Sequence, residues 1–424
     1  MGSHQPPMIK RNSMFYRFSL YGFLKNLRFF DPFILLIFRS YGLSYLQIGI
    51  LYSIRDIATN FLELPTGLLA DSFGRRRAMV SAFISYIISF VILYSLSDFG
   101  FLAAAMVFFA FGEAFRTGTH KALILEYLKI NNLNDLKVAY YGLTRSASQL
   151  GSALNALIAA GLVFYTGSYR IMFLASTIPY TLDLINLATY PRELDGEITR
   201  VKGKEIWSRF DSTLKGFFQT MKDGNAQKVI LNSASFTAIF KSTKDYLQPM
   251  ISGLALSLLL FTALEEGRRE ALLIGLIYFV IYLLTSLASR RAYQFSSRFK
   301  NLPRAVNITY LAGIGLLVTA GTMVVLGLEL VAVICFIGIF LLNNIRRPIN
   351  IGIISDQISS RVMASGLSTE TLMTTMFSAL FAPLLGFLVD TFGLGYGVLG
   401  MGLVMVLLFL AVRVGDVEDQ LPEN

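Results

Sequence analysis

Acids and bases stand inside stretches of this chain that are otherwise apolar enough to lie out of water. Lys25, Arg28 and Asp31 form one such group, Arg55, Asp56 and Glu63 a second, Glu113 and Arg116 a third, and Lys241, Lys244 and Asp245 a fourth; Arg145 and Glu370 lie nearer the ends of two further apolar runs. Each costs about 2.5–3.5 kcal/mol at the middle of a membrane helix on insertion scales, so a bundle that only had to pack would carry few. Side chains of these types can bind a charged solute, carry a proton, or pair with one another. Other chemistry is poorly served. His4 and His120 are the only histidines and Cys335 the only cysteine, which excludes a disulfide within the chain, a thiol metal site and a histidine-rich metal centre. No glycine-lysine loop that would cradle phosphate is present. The expectation is a protein that is not an enzyme and that has no cofactor and no metal.

The elements that hold these groups follow from composition. The chain has 424 residues, is 54% hydrophobic and 15% charged, and its mean hydropathy of +0.59 is foreign to soluble domains of this size. A membrane span needs about 20 mostly apolar residues. That measure predicts spans at about 18–40, 45–70, 78–97, 100–124, 139–165 and 169–190, then at about 229–262, 270–292, 303–327, 329–350, 365–389 and 394–414. Pro249 and Gly253 predict a kink in the seventh. The fold class expected is an all-α integral membrane protein of twelve transmembrane helices in two six-helix halves.

Helical spacing gathers the polar residues into stripes. Gly49, Ser53, Asp56, Asn60, Glu63 and Gly67 make one; Glu113, Arg116 and His120 another; Arg145, Ser148, Gln149, Ser152 and Asn155 a third; Lys241, Lys244, Asp245 and Gln248 a fourth. Such stripes must face a protein interior or a wet cavity. The plain alternative is buried ion pairing, for instance Arg28 with Asp56 or Arg55 with Asp31. Yet bases outnumber acids on these faces, so pairing cannot neutralise them all.

Sidedness comes from the loops. The net charge of +10 would suggest nucleic acid in a soluble protein, but Arg and Lys collect in alternate loops: 75–77, 121–137, 192–228, 290–304 and 346–361. This is the positive-inside pattern, and no nucleic-acid partner is expected. Both termini are expected in the cytoplasm of a multi-pass cell-membrane protein, surrounded by lipid and monomeric. Residues 1–14, opening MGSHQPP, read as a tag remnant and flexible amino terminus. Residues 15–190 form the first half, 191–228 a cytoplasmic linker, 229–414 the second half and 415–424 a flexible tail. Within the linker Ile206, Trp207, Phe210, Leu214, Phe217 and Phe218 recur at helical spacing, which predicts an amphipathic helix.

One loop carries more than topology. GLLADSFGRRR, residues 67–77, places Gly67, Asp71, Gly74, Arg75, Arg76 and Arg77 between the second and third spans. Gly67 and the turn from Asp71 to Gly74 are expected to end the second helix, and Asp71 could cap a helix amino terminus, worth about 0.3–1 kcal/mol. The stretch resembles the signature loop of the major facilitator superfamily of twelve-span secondary transporters. That resemblance implies a cytoplasmic gate in which Asp71 meets the start of the eleventh span and Arg75 meets Glu126 at the end of the fourth. Ser72 departs from the basic residue usual there. A weak internal repeat agrees with duplicated halves: Arg116 stands ten residues before Glu126, as Arg346 stands before Asp356.

The resulting expectation is a secondary transporter of a small solute working by alternating access. The surplus of fixed positive charge predicts an anionic or zwitterionic solute, clamped by Arg116 and by Lys241 or Lys244, with protons as a candidate coupling ion through Asp31, Asp56 or Glu113. Two alternatives stand beside it: a proton-driven exporter of lipophilic cations, and a non-transporting sensor or partner protein that kept the fold.

Overall fold

In a computed structural model, residues 12–133, 136–196, 203–257, 264–299, 301–357 and 363–415 are described. The side chains of Gly67, Asp71 and Asp356 lie outside the described set, as do residues 1–11 and nearly all of the tail. Seventeen helices follow in order among the described residues: α1 Ser13–Leu24, α2 Ile34–Ser40, α3 Tyr45–Phe73, α4 Arg75–Ser95, α5 Phe99–Arg116, α6 Thr119–Ile130, α7 Lys137–Thr166, α8 Ile171–Ala188 and α9 Gly203–Lys222. Then come α10 Gly224–Thr243, α11 Leu247–Ser257, α12 Glu266–Arg290, α13 Ala292–Ser296, α14 Leu302–Val325, α15 Glu329–Gln357, α16 Met363–Phe392 and α17 Leu394–Val412. The linker's apolar spacing falls on α9.

Nine segments among the described residues are long and apolar enough to cross a membrane. The remaining expected spans are the first, second and seventh, and each fails a simple hydropathy test for a visible reason. The second, on α3, carries Arg55, Asp56 and Glu63. The first and seventh are broken. A continuous helix was expected over 18–40, but α1 stops at Leu24 and a 3₁₀ turn at Asp31–Phe33 leads into α2. Pro32 lies in that turn, where it has no N–H to give and its ring crowds the carbonyl four residues back, at Arg28, so the helix cannot run through it unbroken. In the seventh span Pro249 crowds the carbonyl of Asp245, four residues back. The kink expected at Pro249 and Gly253 lies instead one turn upstream, in the 3₁₀ turn Lys244–Tyr246, while Pro249 and Gly253 sit inside α11. The fourth span also divides, at Thr117 and Gly118, where Gly118 takes a φ of 80°.

Gly67 does not end the second span. The α3 helix runs on to Phe73 and stops at Gly74, whose φ of 92° is the conformation that breaks it. A lone glycine costs a helix interior only about 1 kcal/mol, less than leaving backbone groups unpaired in an apolar setting.

The chain divides into two compact units, and the division does not follow chain order. One holds residues up to Asp31 together with Phe61–Trp207; the other holds Pro32–Asn60 together with the chain from Ser208. The first unit is centred on aromatic rings: Phe30, Phe83, Tyr86, Phe90, Phe109 and Tyr180 meet edge-on or tilted at centroid distances near 5–6 Å. Gly112 is pressed against the Tyr86 ring, where a Cβ would come within 2.8 Å, so α4 and α5 approach as small residues allow in membranes. In the second unit, Ile230, Ala234, Val306, Ile349 and Ile353 form a buried apolar cluster. There α3 lies against α16 so closely that a Cβ at Gly49 would stand 2.7 Å from Pro383 Cα.

Candidate functional site

In the first unit, the break after α1 creates the site. Its loose backbone carbonyls are taken up by side chains: Tyr180 O–H donates to Lys25 O at 2.9 Å, and Asn155 Nδ2 to Arg28 O at 3.0 Å. Asn26 Nδ2 donates to Gly22 O and Ser148 O, and Asp31 N–H to Arg28 O at 3.0 Å. Arg28 is thereby fixed facing Glu113 of α5. Arg28 Nη2 pairs with Glu113 Oε1, while Arg116 Nη2 pairs with Oε2 at 2.5 Å. Two phenols complete the cluster: Arg28 Nε donates to Tyr180 Oη at 2.5 Å, and Arg116 Nε to Tyr86 Oη at 3.1 Å. One carboxylate is shared by two guanidinium groups. Lys25, at the end of α1, adds a third base, its Nζ 5.4 Å from the Tyr21 ring centre. Arg145 is exposed on α7 and pairs with no acid among the described residues; it stands outside this cluster.

In the second unit, Asp56 is the shared acid. Arg55 Nη2 reaches Asp56 Oδ1 at 2.9 Å, Ser378 Oγ donates to Oδ2 at 3.0 Å, and Lys241 Nζ stands 4.0 Å from Oδ2. Lys244 instead takes Asp245, at 2.6 Å, beside the break in the seventh span. Lys241 is 45% exposed, more than the paired bases Arg28, Arg55, Arg116 and Lys244. The example pairs considered from sequence, Arg28 with Asp56 and Arg55 with Asp31, are thus replaced: Arg28 has Glu113, and Arg55 has its own neighbour. Helical spacing could not foresee this, because the broken first span rotates Arg28 away from an ideal stripe.

A third cluster surrounds the loop that opens α4. Arg75 Nη1 stands 3.5 Å from Glu126 Oε2. Arg76 Nη1 donates to the carbonyls of Ala188 and Tyr190. Asp195 Oδ1 accepts the N–H of Arg76 at 2.7 Å and so caps α4, a role that sequence reasoning offered only to Asp71. Asp390 does the same for α3, accepting the N–H groups of Tyr45 and Leu46 at 3.0 and 2.8 Å. Neither cap has a local sequence signal, since each joins residues more than a hundred positions apart.

The second unit also buries Arg346, 1% exposed. It donates to Val306 O, Thr309 Oγ1 and Asn232 Oδ1 at 2.6–2.8 Å, and its guanidinium carbon lies 4.1 Å from the Phe236 ring centre and 5.4 Å from that of Tyr310. The two arginines of the weak sequence repeat share one feature, a tyrosine of the preceding span. Arg116 of the fourth span meets Tyr86 of the third, and Arg346 of the tenth meets Tyr310 of the ninth.

Helices of membrane length, with bases and acids held inside them, define a multi-pass membrane protein. The Major Facilitator Superfamily profile matches residues 18–375, and the chain belongs to that family. Solved structures agree on the fold. The nucleoside transporter NupG superposes with a TM-score of 0.76 at 13% identity, covering 95% of this chain and 98% of that one. A D-xylose-proton symporter gives 0.66 at 15% identity over 95% and 98%, and a peptide transporter of the POT family in complex with sulfate gives 0.65 at 14% over 94% of each. A search of curated protein sequences gives no match.

Proposed function

We propose that the protein moves a small anionic or zwitterionic solute across the cell membrane by alternating access, coupled to protons. The observation that supports this most is charge. In each unit two bases share one carboxylate, Arg28 and Arg116 on Glu113, Arg55 and Lys241 on Asp56, and Lys25 adds a further base beside the first. A site with fixed positive surplus out of bulk water attracts anions and repels cations. Arg116 and Lys241 are the bases we assign to the solute. Lys244 is the weaker choice because Asp245 already neutralises it.

The loop residues Gly67, Asp71, Gly74, Arg75 and Arg76, with Glu126, are assigned to a cytoplasmic gate, and both termini to the cytoplasm. The protein works as a monomer of two six-span halves, 15–190 and 229–414, joined by the amphipathic helix of the linker. Flux into proteoliposomes tests the solute's sign. Lys241→Ala is the cleaner variant, since among the described residues Lys241 makes only the long contact to Asp56; it should weaken uptake of an anionic solute about tenfold, for the loss of about 1.4 kcal/mol of charge-assisted contact. The competing reading is a proton-driven exporter of lipophilic cations. It prevails if Lys241→Ala and Arg116→Lys leave transport intact while Glu113→Gln abolishes export of a cationic dye.

A further inference from the structure

Asp183 of α8 is 0% exposed, and its pairing is unlike that of Glu113, Asp56 and Asp245. Those three each touch a base. Among the described residues, Asp183 Oδ1 accepts only the Asn186 Nδ2–H group at 3.2 Å, and Oδ2 has no partner. Its position in depth is fixed by its neighbours on the same face of α8. Three residues before it, Tyr180 bonds Lys25 O; three residues after it, Asn186 Nδ2 bonds Arg17 O at 3.1 Å. The α1 and α8 helices run in opposite directions here, so residue 183 stands level with Tyr21. Tyr21 is itself stacked on His120, ring centroids 3.5 Å apart, and His120 Nε2 lies 3.4 Å from Tyr190 Oη.

The ionisable groups around Asp183 come from every element near it. They are Arg17, Tyr21 and Lys25 on α1, Arg76 at the start of α4, Arg116 at the end of α5 beside Tyr21, His120 on α6, Tyr140 of α7 beyond Phe18, Tyr180 one turn back on α8 and Tyr190 after it. Arg17 is engaged elsewhere: its guanidinium donates to Asn186 O and Thr189 Oγ1 and lies over the Tyr190 ring. Lys25 is the exception. It is the first residue past α1, half-buried, and its ammonium rests on the face of Tyr21 with no carboxylate in contact among the described residues.

An ionised carboxylate with one unpartnered oxygen, out of water and unpaired, is strongly disfavoured; the neutral acid is not. We infer that Asp183 is a proton-binding site of the first unit: it holds a proton in this state, and when that proton leaves for water, the Lys25 ammonium moves off Tyr21 to pair with the carboxylate. Only an O–H bond breaks. The consequence reaches the arginine cluster, because Lys25 is bonded in sequence to the segment that carries Arg28. With the proton bound, Lys25 adds its charge beside Arg28 and Arg116; with the proton gone, that charge is matched by Asp183. Proton occupancy thus sets the positive charge offered to a solute, and this last step alone rests on the anion reading above.

Infrared spectroscopy of the purified full chain in lipid reads the proton without any solute. Wild type at neutral pH should show the C=O stretch of a protonated carboxylic acid where ordinary carboxylates are ionised. The band should vanish in Asp183→Asn, remain in Asp183→Glu, and shift in wild-type protein labelled with carboxyl-¹³C aspartate. The labelling arm needs no substitution, so a misfolded variant does not spare the proposal. In Lys25→Met the band should persist to higher pH than in wild type, since the cation that stabilises the carboxylate is gone. A band absent from wild type, or unmoved by the label, overturns the proton site. An unchanged pH midpoint in Lys25→Met overturns the part given to Lys25. Failure of the transport reading leaves both measurements meaningful, because neither involves flux.

Discussion

Asp195 Oδ1 and the backbone N–H of Arg76 are 2.7 Å apart, so the cap of α4 comes from a residue 119 positions further on. The arrangement is tight. Gly74 precedes the helix with a φ of 92°, and a Cβ there would meet the Asp195 carboxyl at 3.0–3.1 Å. Removing the cap in Asp195→Ala should cost about 1 kcal/mol, and Asp195→Asn distinctly less because its amide oxygen can still accept. Thermal unfolding in detergent, read by tryptophan-independent probes because Trp207 is the only tryptophan, gives the order. Equal losses in the two variants would remove capping as the reason for Asp195.

Asp390 holds the start of α3 in the second unit through two backbone N–H groups, Tyr45 and Leu46. Beside it Gly386 brings the Tyr45 backbone against α16. Asp390→Ala should weaken this contact by about 1 kcal/mol, roughly a fivefold change in the equilibrium between packed and separated helix ends. Spin labels at Tyr41 and Thr391 report it as a distance distribution. A distribution identical to wild type would show that the cap does not hold the two helices together.

Glu113 and Arg346 should respond differently to neutral substitution. Glu113→Gln leaves Arg28 and Arg116 side by side without their acid, a loss of about 3 kcal/mol or more. Among the described residues Arg346 has no carboxylate partner and its Nε is unpaired already, so Arg346→Met chiefly orphans the Asn232 carbonyl oxygen, about 1–3 kcal/mol. Chemical or thermal denaturation of both variants decides it. If Arg346→Met is the more damaging, its three hydrogen bonds and its stack on Phe236 outweigh the ion-pair triad.

Sidedness is open to direct measurement. Single cysteines at Ser72, Ser212 and Asn301, each in a Cys335→Ala background, should react with impermeant thiol reagents only from the cytoplasm, because all three lie in or beside the basic loops. Cys335 is 8% exposed, so the background change to alanine should be mild. Reaction of any one site from outside would overturn the assigned topology.

Hydropathy and charge along the chain were enough to establish a twelve-span membrane protein, because the bilayer demands long apolar helices and sorts basic loops to one side. The signature loop pointed to the family because its glycines, carboxylate and arginines stand within eleven residues of one another. The list of ionisable residues inside spans was also legible. Who pairs with whom was not. Glu113 serving both Arg28 and Arg116, Asp56 serving Arg55 and Lys241, and the lone burial of Asp183 depend on where three spans break. The first span is broken between Leu24 and Ile34 and the seventh at Lys244–Tyr246, so an ideal helical wheel drawn through Arg28 or Lys244 points the wrong way. The caps supplied by Asp195 and Asp390 lay further beyond reach, since a carboxylate carries no mark of which distant helix it will meet. Sequence determined what the membrane selects, residue by residue; only tertiary packing decided which charges stand together, because electrostatic partnership depends on distance in space and not on spacing along the chain.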